Sequence, residues 1–165
     1  MKTLKIFTAA LLFVGLTASA YAQNPSNASI NANAEVVSSF SFVTTSNLEF
    51  GSVLQGVNKT IAPATDDAGL FHILVPNGGK ANLNFTAAPG DLVGTGGSSL
   101  PITWDVRYNS EDNLTGATTW ENLEAGVNEL EDENIYVFIG GTAEPANDQA
   151  IGTYALEITL QVEVN

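Results

Sequence analysis

Few side chains in this sequence could carry out a reaction. Its single histidine, His72, stands in Leu70-Phe71-His72-Ile73-Leu74-Val75, and there is no cysteine. Disulfides, thiolate metal sites and cysteine nucleophiles are therefore excluded, as are paired-histidine catalysis and His-rich metal sites. A catalytic histidine needs a nucleophile and an orienting acid in reach. No Gly-x-Ser-x-Gly elbow or comparable short motif supplies them. His72 reads instead as a strand residue at a sheet surface, pointing opposite Phe71 and Ile73.

Carboxylates are plentiful, with clusters at Asp66-Asp67, at Glu111-Asp112 and at Glu129 with Glu131-Asp132-Glu133. Calcium takes six to eight oxygens from carboxylates and carbonyls, but no Asp-x-Asp-x-Asp-Gly loop is present. The clusters read as solvated surface charge, with no metal or cofactor expected. Glycoside hydrolysis needs two carboxyl groups at a set separation in a cleft, and a sandwich of this length seldom has room for a deep one. No catalytic residue is assigned, and the expectation is a protein that is not an enzyme. Among the aromatics, Trp104 and Tyr108 fall on the apolar face of their strand and read as core. Trp120, in Thr118-Thr119-Trp120-Glu121-Asn122, lies in a polar stretch and is the aromatic marked for ligand contact. Asn-x-Ser/Thr sites at Asn27, Asn58 and Asn113 matter only in a glycosylating host.

Charge narrows the partners. The 165 residues carry 5 Lys and Arg against 18 Asp and Glu, a formal net charge of -13. Nucleic acid, bound through basic contacts to phosphate, is a poor partner for such a chain, and an anionic membrane surface is an equally poor one; no nucleic-acid partner is expected. Residues 1–22 read as a secretory signal peptide. Lys2 and Lys5 precede an apolar stretch from Ile6 to Thr17, and Ala18-Ser19-Ala20-Tyr21-Ala22 offers a small-residue cleavage site. The apolar stretch is shorter than the roughly 20 residues of a membrane span, and no second candidate follows. Cleavage leaves 143 residues with 3 cations against 18 acids. That length suits one domain, residues 23–165, and the acidic surface suits solubility after export.

The elements that must position these residues are strands. Residues 23–29 read as a flexible, polar lead, after which Ile30, Ala32, Ala34 and Val36 share one face with period two. Further apolar runs lie at Phe40–Val43, Leu48–Phe50, Val57–Ile61, Leu70–Val75, Ala81–Thr86, Ile102–Tyr108, Ile135–Ile139 and Tyr154–Val164. Between many of them stand turn formers such as Pro76-Asn77-Gly78-Gly79 and Ala88-Pro89-Gly90-Asp91. The last run predicts one continuous strand of eleven residues, roughly 35 Å long, with Tyr154, Leu156, Ile158, Leu160, Val162 and Val164 inward. Trp120 to Glu133 reads as an acidic loop or short helical turn. Many short strands with Gly/Pro turns predict an all-β antiparallel sandwich.

Two segments carry a family resemblance. Leu48-Glu49-Phe50-Gly51-Ser52-Val53, after an early strand, resembles the "LdFG" segment of a family of small secreted bacterial domains of unknown function. That family is akin to spore coat protein U and to chaperone–usher pilin subunits. Ile151-Gly152-Thr153-Tyr154, leading into the last strand, resembles the family's closing "G-x-Y" strand. The resemblance spans about Ala32 to Val164. It implies an immunoglobulin-like sandwich, export, and a structural or cell-surface role, with no catalytic residue. The chain departs from many pilins in lacking a disulfide.

Open sheet edges are templates for pairing with another chain. The expected function is therefore a secreted, fimbria-like or coat subunit, with itself or other surface-protein subunits as partners. The strand of Ile30, Ala32, Ala34 and Val36 is either donated to a neighbour or the domain's own first strand. The alternative function is a monomeric extracellular glycan- or calcium-binding module.

Overall fold

The computed structural model describes residues 41–75 and 79–165. The signal segment and the run from Ile30 to Val36 lie outside them. Every element described is a strand, in chain order β1 (Ser41–Ser46), β2 (Lys59–Ile61), β3 (Gly69–Leu74), β4 (Ala81–Phe85), β5 (Leu92–Gly94) and β6 (Ser99–Leu100). β7 (Ile102–Asn109), β8 (Thr118–Thr119), β9 (Val127–Leu130), β10 (Asn134–Ala143), β11 (Tyr154–Ala155) and β12 (Leu160–Val164) follow. The pairings are antiparallel throughout.

The largest sheet runs β1-β3-β10-β7-β8, with β2 also on β10. A second sheet runs β12-β4-β9, and a small third runs β11-β5-β6. The alternation seen in the sequence explains how the first two face each other. Ile73, Val106, Ile135, Val137 and Ile139 of the large sheet share one core with Leu83, Phe85, Leu160 and Val162 of the second. Each strand thus gives one apolar face to the interior and one to water. The result is the all-β antiparallel sandwich predicted, with two sheets facing each other across the core and a small third beside them. A second cluster of Phe50, Ile61, Ala68, Leu100 and Ala143 joins the small sheet to the rest.

β10 organises the large sheet. One edge pairs with β7 from Tyr136 to Ala143, while the other pairs with β3 up to Ile139 and then with β2 from Gly141. Gly140 sits where β3 gives way to β2. A Cβ there would stand 2.5 Å from the Ile61 carbonyl and 2.7 Å from the Pro63 ring, so only glycine lets the chain pass.

Two expectations need correcting. Residues 154–164 do not form one strand. Tyr154 and Ala155 pair with Gly94 and Val93 in the small sheet, whereas Leu160 to Val164 pair with Phe85 to Ala81. Burial still alternates through the whole run, with the even positions inward and the odd ones exposed. Alternation reports an extended backbone with one covered face, and it is silent on which neighbour supplies the ladder. The stretch from Trp120 to Glu133 is not wholly loop either. It contains β9, whose ladder on β4 is interrupted between Ala81 and Leu83 and which carries Glu129 at φ 56°. That irregularity hid its period.

Candidate functional site

The change of partner between β11 and β12 leaves a seam. No backbone hydrogen bond joins Leu156, Glu157 or Ile158 to another described residue, although burial alternates through the segment. Beside it opens a groove of about 820 Å³, within the range of ligand sites in general. One wall is the chain from Ser46 to Val53 and the other is Ile151 to Ile158, with Phe71, Leu100, Trp104 and Ile139 also lining it. Both segments that carry the family resemblance therefore line one groove.

Local chemistry holds these walls. Gly51 and Gly56 take φ of 60° and 68°, left-handed values that glycine adopts without steric cost. The Gly56 N–H donates to the Ala146 carbonyl at 3.1 Å, and Gln55 Nε2 donates to the carbonyl of Gln149. Gln149 Nε2 in turn donates to the Ser99 carbonyl at 2.9 Å and to the Tyr154 hydroxyl at 2.7 Å, while that hydroxyl donates to the Ala150 carbonyl at 2.6 Å. The Tyr154 ring packs so close to Gly94 that a Cβ there would fall 2.8 Å from it. Trp104 is held by its indole N–H, which donates to the Gly90 carbonyl at 3.1 Å.

The groove is almost without charge. Glu49 is the one charged side chain among its described lining residues, and Ile151, at the rim, is 94% exposed. Lys59 stands at one end, its ammonium donating to the Ser52 carbonyl at 3.3 Å. A groove of mixed polar and apolar lining, beside backbone that has no ladder among the described residues, can accept an extended peptide, which supplies hydrogen bonds and alternate side chains.

The residues singled out in the sequence fall elsewhere. Trp120, marked for ligand contact, is packed in the core: it is 5% exposed, its ring lies 4.8 Å from Phe85 and 6.3 Å from Tyr108, and its indole N–H donates to the carbonyls of Asn122 and Ala125. The polar neighbours that suggested exposure are the loop that folds over it. His72 stacks on Tyr136 at 4.1 Å, with Nε2 3.0 Å from Asn134 Oδ1. Trp104, read as core, is half-buried: it packs against the main core and also lines the groove. In the acidic clusters, Lys80 lies between Glu129 and Glu131, which holds the Glu131 carboxyl below its ordinary value by hydrogen bond and then by charge. No three His, Asp or Glu side chains converge as a metal site among the described residues. Ile30, Ala32, Ala34 and Val36 lie outside those residues.

The groove was missed because its walls, residues 46–53 and 151–158, lie 105 residues apart in the chain, and each wall taken alone reads as an ordinary strand. The available signal was Ile151, an apolar residue among Gly, Ala and Thr with no run of its own. Among the described residues no helix is long and apolar enough to cross a membrane. In comparisons with known proteins, no family model and no curated protein matches this chain.

Proposed function

We propose that this chain is an exported, non-catalytic structural subunit that assembles by strand pairing at the groove between residues 46–53 and 151–158. The carrying observation is that no backbone hydrogen bond joins Leu156, Glu157 or Ile158 to another described residue, beside a groove of about 820 Å³ with a mixed polar and apolar lining. The signal-like residues 1–22 and the resemblance to spore-coat and pilin-like domains support the same reading. The alternative, a glycan- or calcium-binding module, loses its marked aromatic to the core.

Three of the other edges suit pairing less well. β8 is two residues long, β9 is irregular at Glu129, and β1 is bulged between Phe42 and Thr44. Short and bulged edges discourage added strands. The test is the solution mass of residues 23–165 by light scattering across a concentration series, beside the same chain lacking residues 23–37. Growth by the first and a folded monomer for the second support donation of the N-terminal strand. A concentration-independent monomer for the first refutes assembly.

A further inference from the structure

We infer that β12 is a separate interface, at which two copies of this chain join edge to edge about a two-fold axis through Val162. The inference goes beyond the groove and does not depend on it.

Hydrogen bonds at the ends of β12 show which way its backbone points. The Thr159 carbonyl accepts from the Thr86 N–H at 3.0 Å, and Asn165 exchanges bonds with Lys80 at 2.9 and 3.3 Å. Both contacts continue the register that pairs Leu160 with Phe85 and Val164 with Ala81. Along an antiparallel ladder, hydrogen-bonded and non-hydrogen-bonded pairs alternate. Gln161 and Glu163 therefore bond to β4, while the N–H and C=O groups of Leu160, Val162 and Val164 point away from it. Among the described residues no strand meets them, since β12 ends its sheet and pairs with β4 alone. The usual guards of an open edge are missing. Leu160-Gln161-Val162-Glu163-Val164 has no proline, no lysine and no shift in register. Its inward side chains are already seated, with Leu160 and Val162 buried and Val164 half-buried against the core.

A second copy fits this edge because the edge is its own complement. In an antiparallel pair centred on Val162, Leu160 stands opposite Val164 of the other copy and Val162 opposite its counterpart. Every outward N–H then meets a C=O. The exposed side chains fall as Gln161 opposite Glu163 in both halves, the amide–carboxylate contact that these two already make within one chain at 3.2 Å. Neighbouring registers fit less well. Centring on Glu163 sets two carboxylates directly opposite each other, which is destabilising. Centring on Gln161 sets Val164 against Ile158, which lies outside β12 and has no backbone bond to another described residue. The contact uses the same surface on both copies, so it closes at a dimer, unlike a head-to-tail contact at the groove.

Cysteine cross-linking reads the register directly, because the chain has no cysteine of its own. Gln161→Cys and Glu163→Cys variants of residues 23–165 are oxidised with copper phenanthroline, each alone and as an equimolar mixture, and covalent dimer is read on non-reducing gels. Both positions are exposed, so thermal melts stay at the wild-type midpoint. In the Val162 register, position 161 lies about 4.5 Å from position 163 of the other copy, Cα to Cα, within the range of a disulfide. Like positions lie diagonally, about 7–8 Å apart, beyond that range. The mixture therefore yields covalent dimer and each variant alone stays monomeric. A five-residue edge makes less than a standard interface, so the dimer is weak in dilute solution and covalent trapping is the readout. A mixture that yields no more dimer than either variant alone overturns the inference, as does a single variant that cross-links as fully as the mixture. Neither result touches assembly at the groove. Conversely, a wild-type chain that light scattering finds monomeric removes the groove reading, while cross-linking of the mixture alone still upholds the β12 contact.

Discussion

Replacing Trp120 by alanine asks whether this ring is part of the core or part of a binding surface. The side chain is 5% exposed and packs against Phe85 and Tyr108. A buried aromatic removes about 150–250 Å² from water, which at about 25 cal/mol per Å² is about 4–6 kcal/mol as an upper bound. Large-to-small substitutions of buried aromatics cost about 3–5 kcal/mol once partial collapse is allowed, so Trp120→Ala is expected in that range. For a chain of this size the midpoint falls by about 10–20 °C. Trp120→Phe separates packing from hydrogen bonding. It keeps a ring on Phe85 but leaves the carbonyls of Asn122 and Ala125 without their donor. Those carbonyls belong to an exposed loop and can turn to water, so the loss is about 1–2 kcal/mol, toward the lower end for an orphaned group. Chemical and thermal unfolding followed by circular dichroism measures both. A Trp120→Ala protein that melts at the wild-type temperature refutes the core assignment and returns the ring to the candidates for ligand contact.

Three further outcomes follow from the geometry. In Trp120→Phe the remaining tryptophan is Trp104, which lines the groove, so adding a synthetic peptide of residues 28–38 shifts its fluorescence to the blue as water leaves; an unchanged spectrum at saturating peptide counts against the groove as the receiving site. Gly140→Ala drives a Cβ to 2.5 Å from the Ile61 carbonyl and costs about 1–3 kcal/mol in thermal unfolding, as overpacking does, whereas an unchanged midpoint would show that β2 can move aside. Lys80 lies 2.8 Å from Glu131 and 3.6 Å from Glu129 and lowers the Glu131 carboxyl from its ordinary 4.5. A lowered acid contributes stability above that ordinary value and loses it as pH falls through the lowered one. The small melting difference between wild type and Lys80→Met is therefore present at neutral pH and closes on acidification below about 4.5; a gap that widens toward acid contradicts the pairing.

The sandwich was legible because its strands alternate. Ile102 to Tyr108 and Leu70 to Val75 appear as strands within a residue or two of where periodicity placed them. β5, β6 and β8, two or three residues each, are too short to show a period. Trp120 misled for a related reason. Neighbours in sequence report the polarity of a loop, and this loop covers the ring instead of exposing it.

By itself, the amino-acid sequence determined the all-β class, the inward face of each long strand, the acidic surface and the absence of thiol chemistry. These depend on residue type and on spacings of two, which a single segment displays. The tertiary structure alone decided that residues 154–164 divide between two sheets, that Leu156 to Ile158 have no ladder among the described residues, and that Leu48–Val53 faces Ile151–Ile158 across a groove. An apolar face needs cover of any kind, whereas a backbone hydrogen bond needs one particular strand at one particular distance. That second requirement is met, or left open, only once the whole chain is in place.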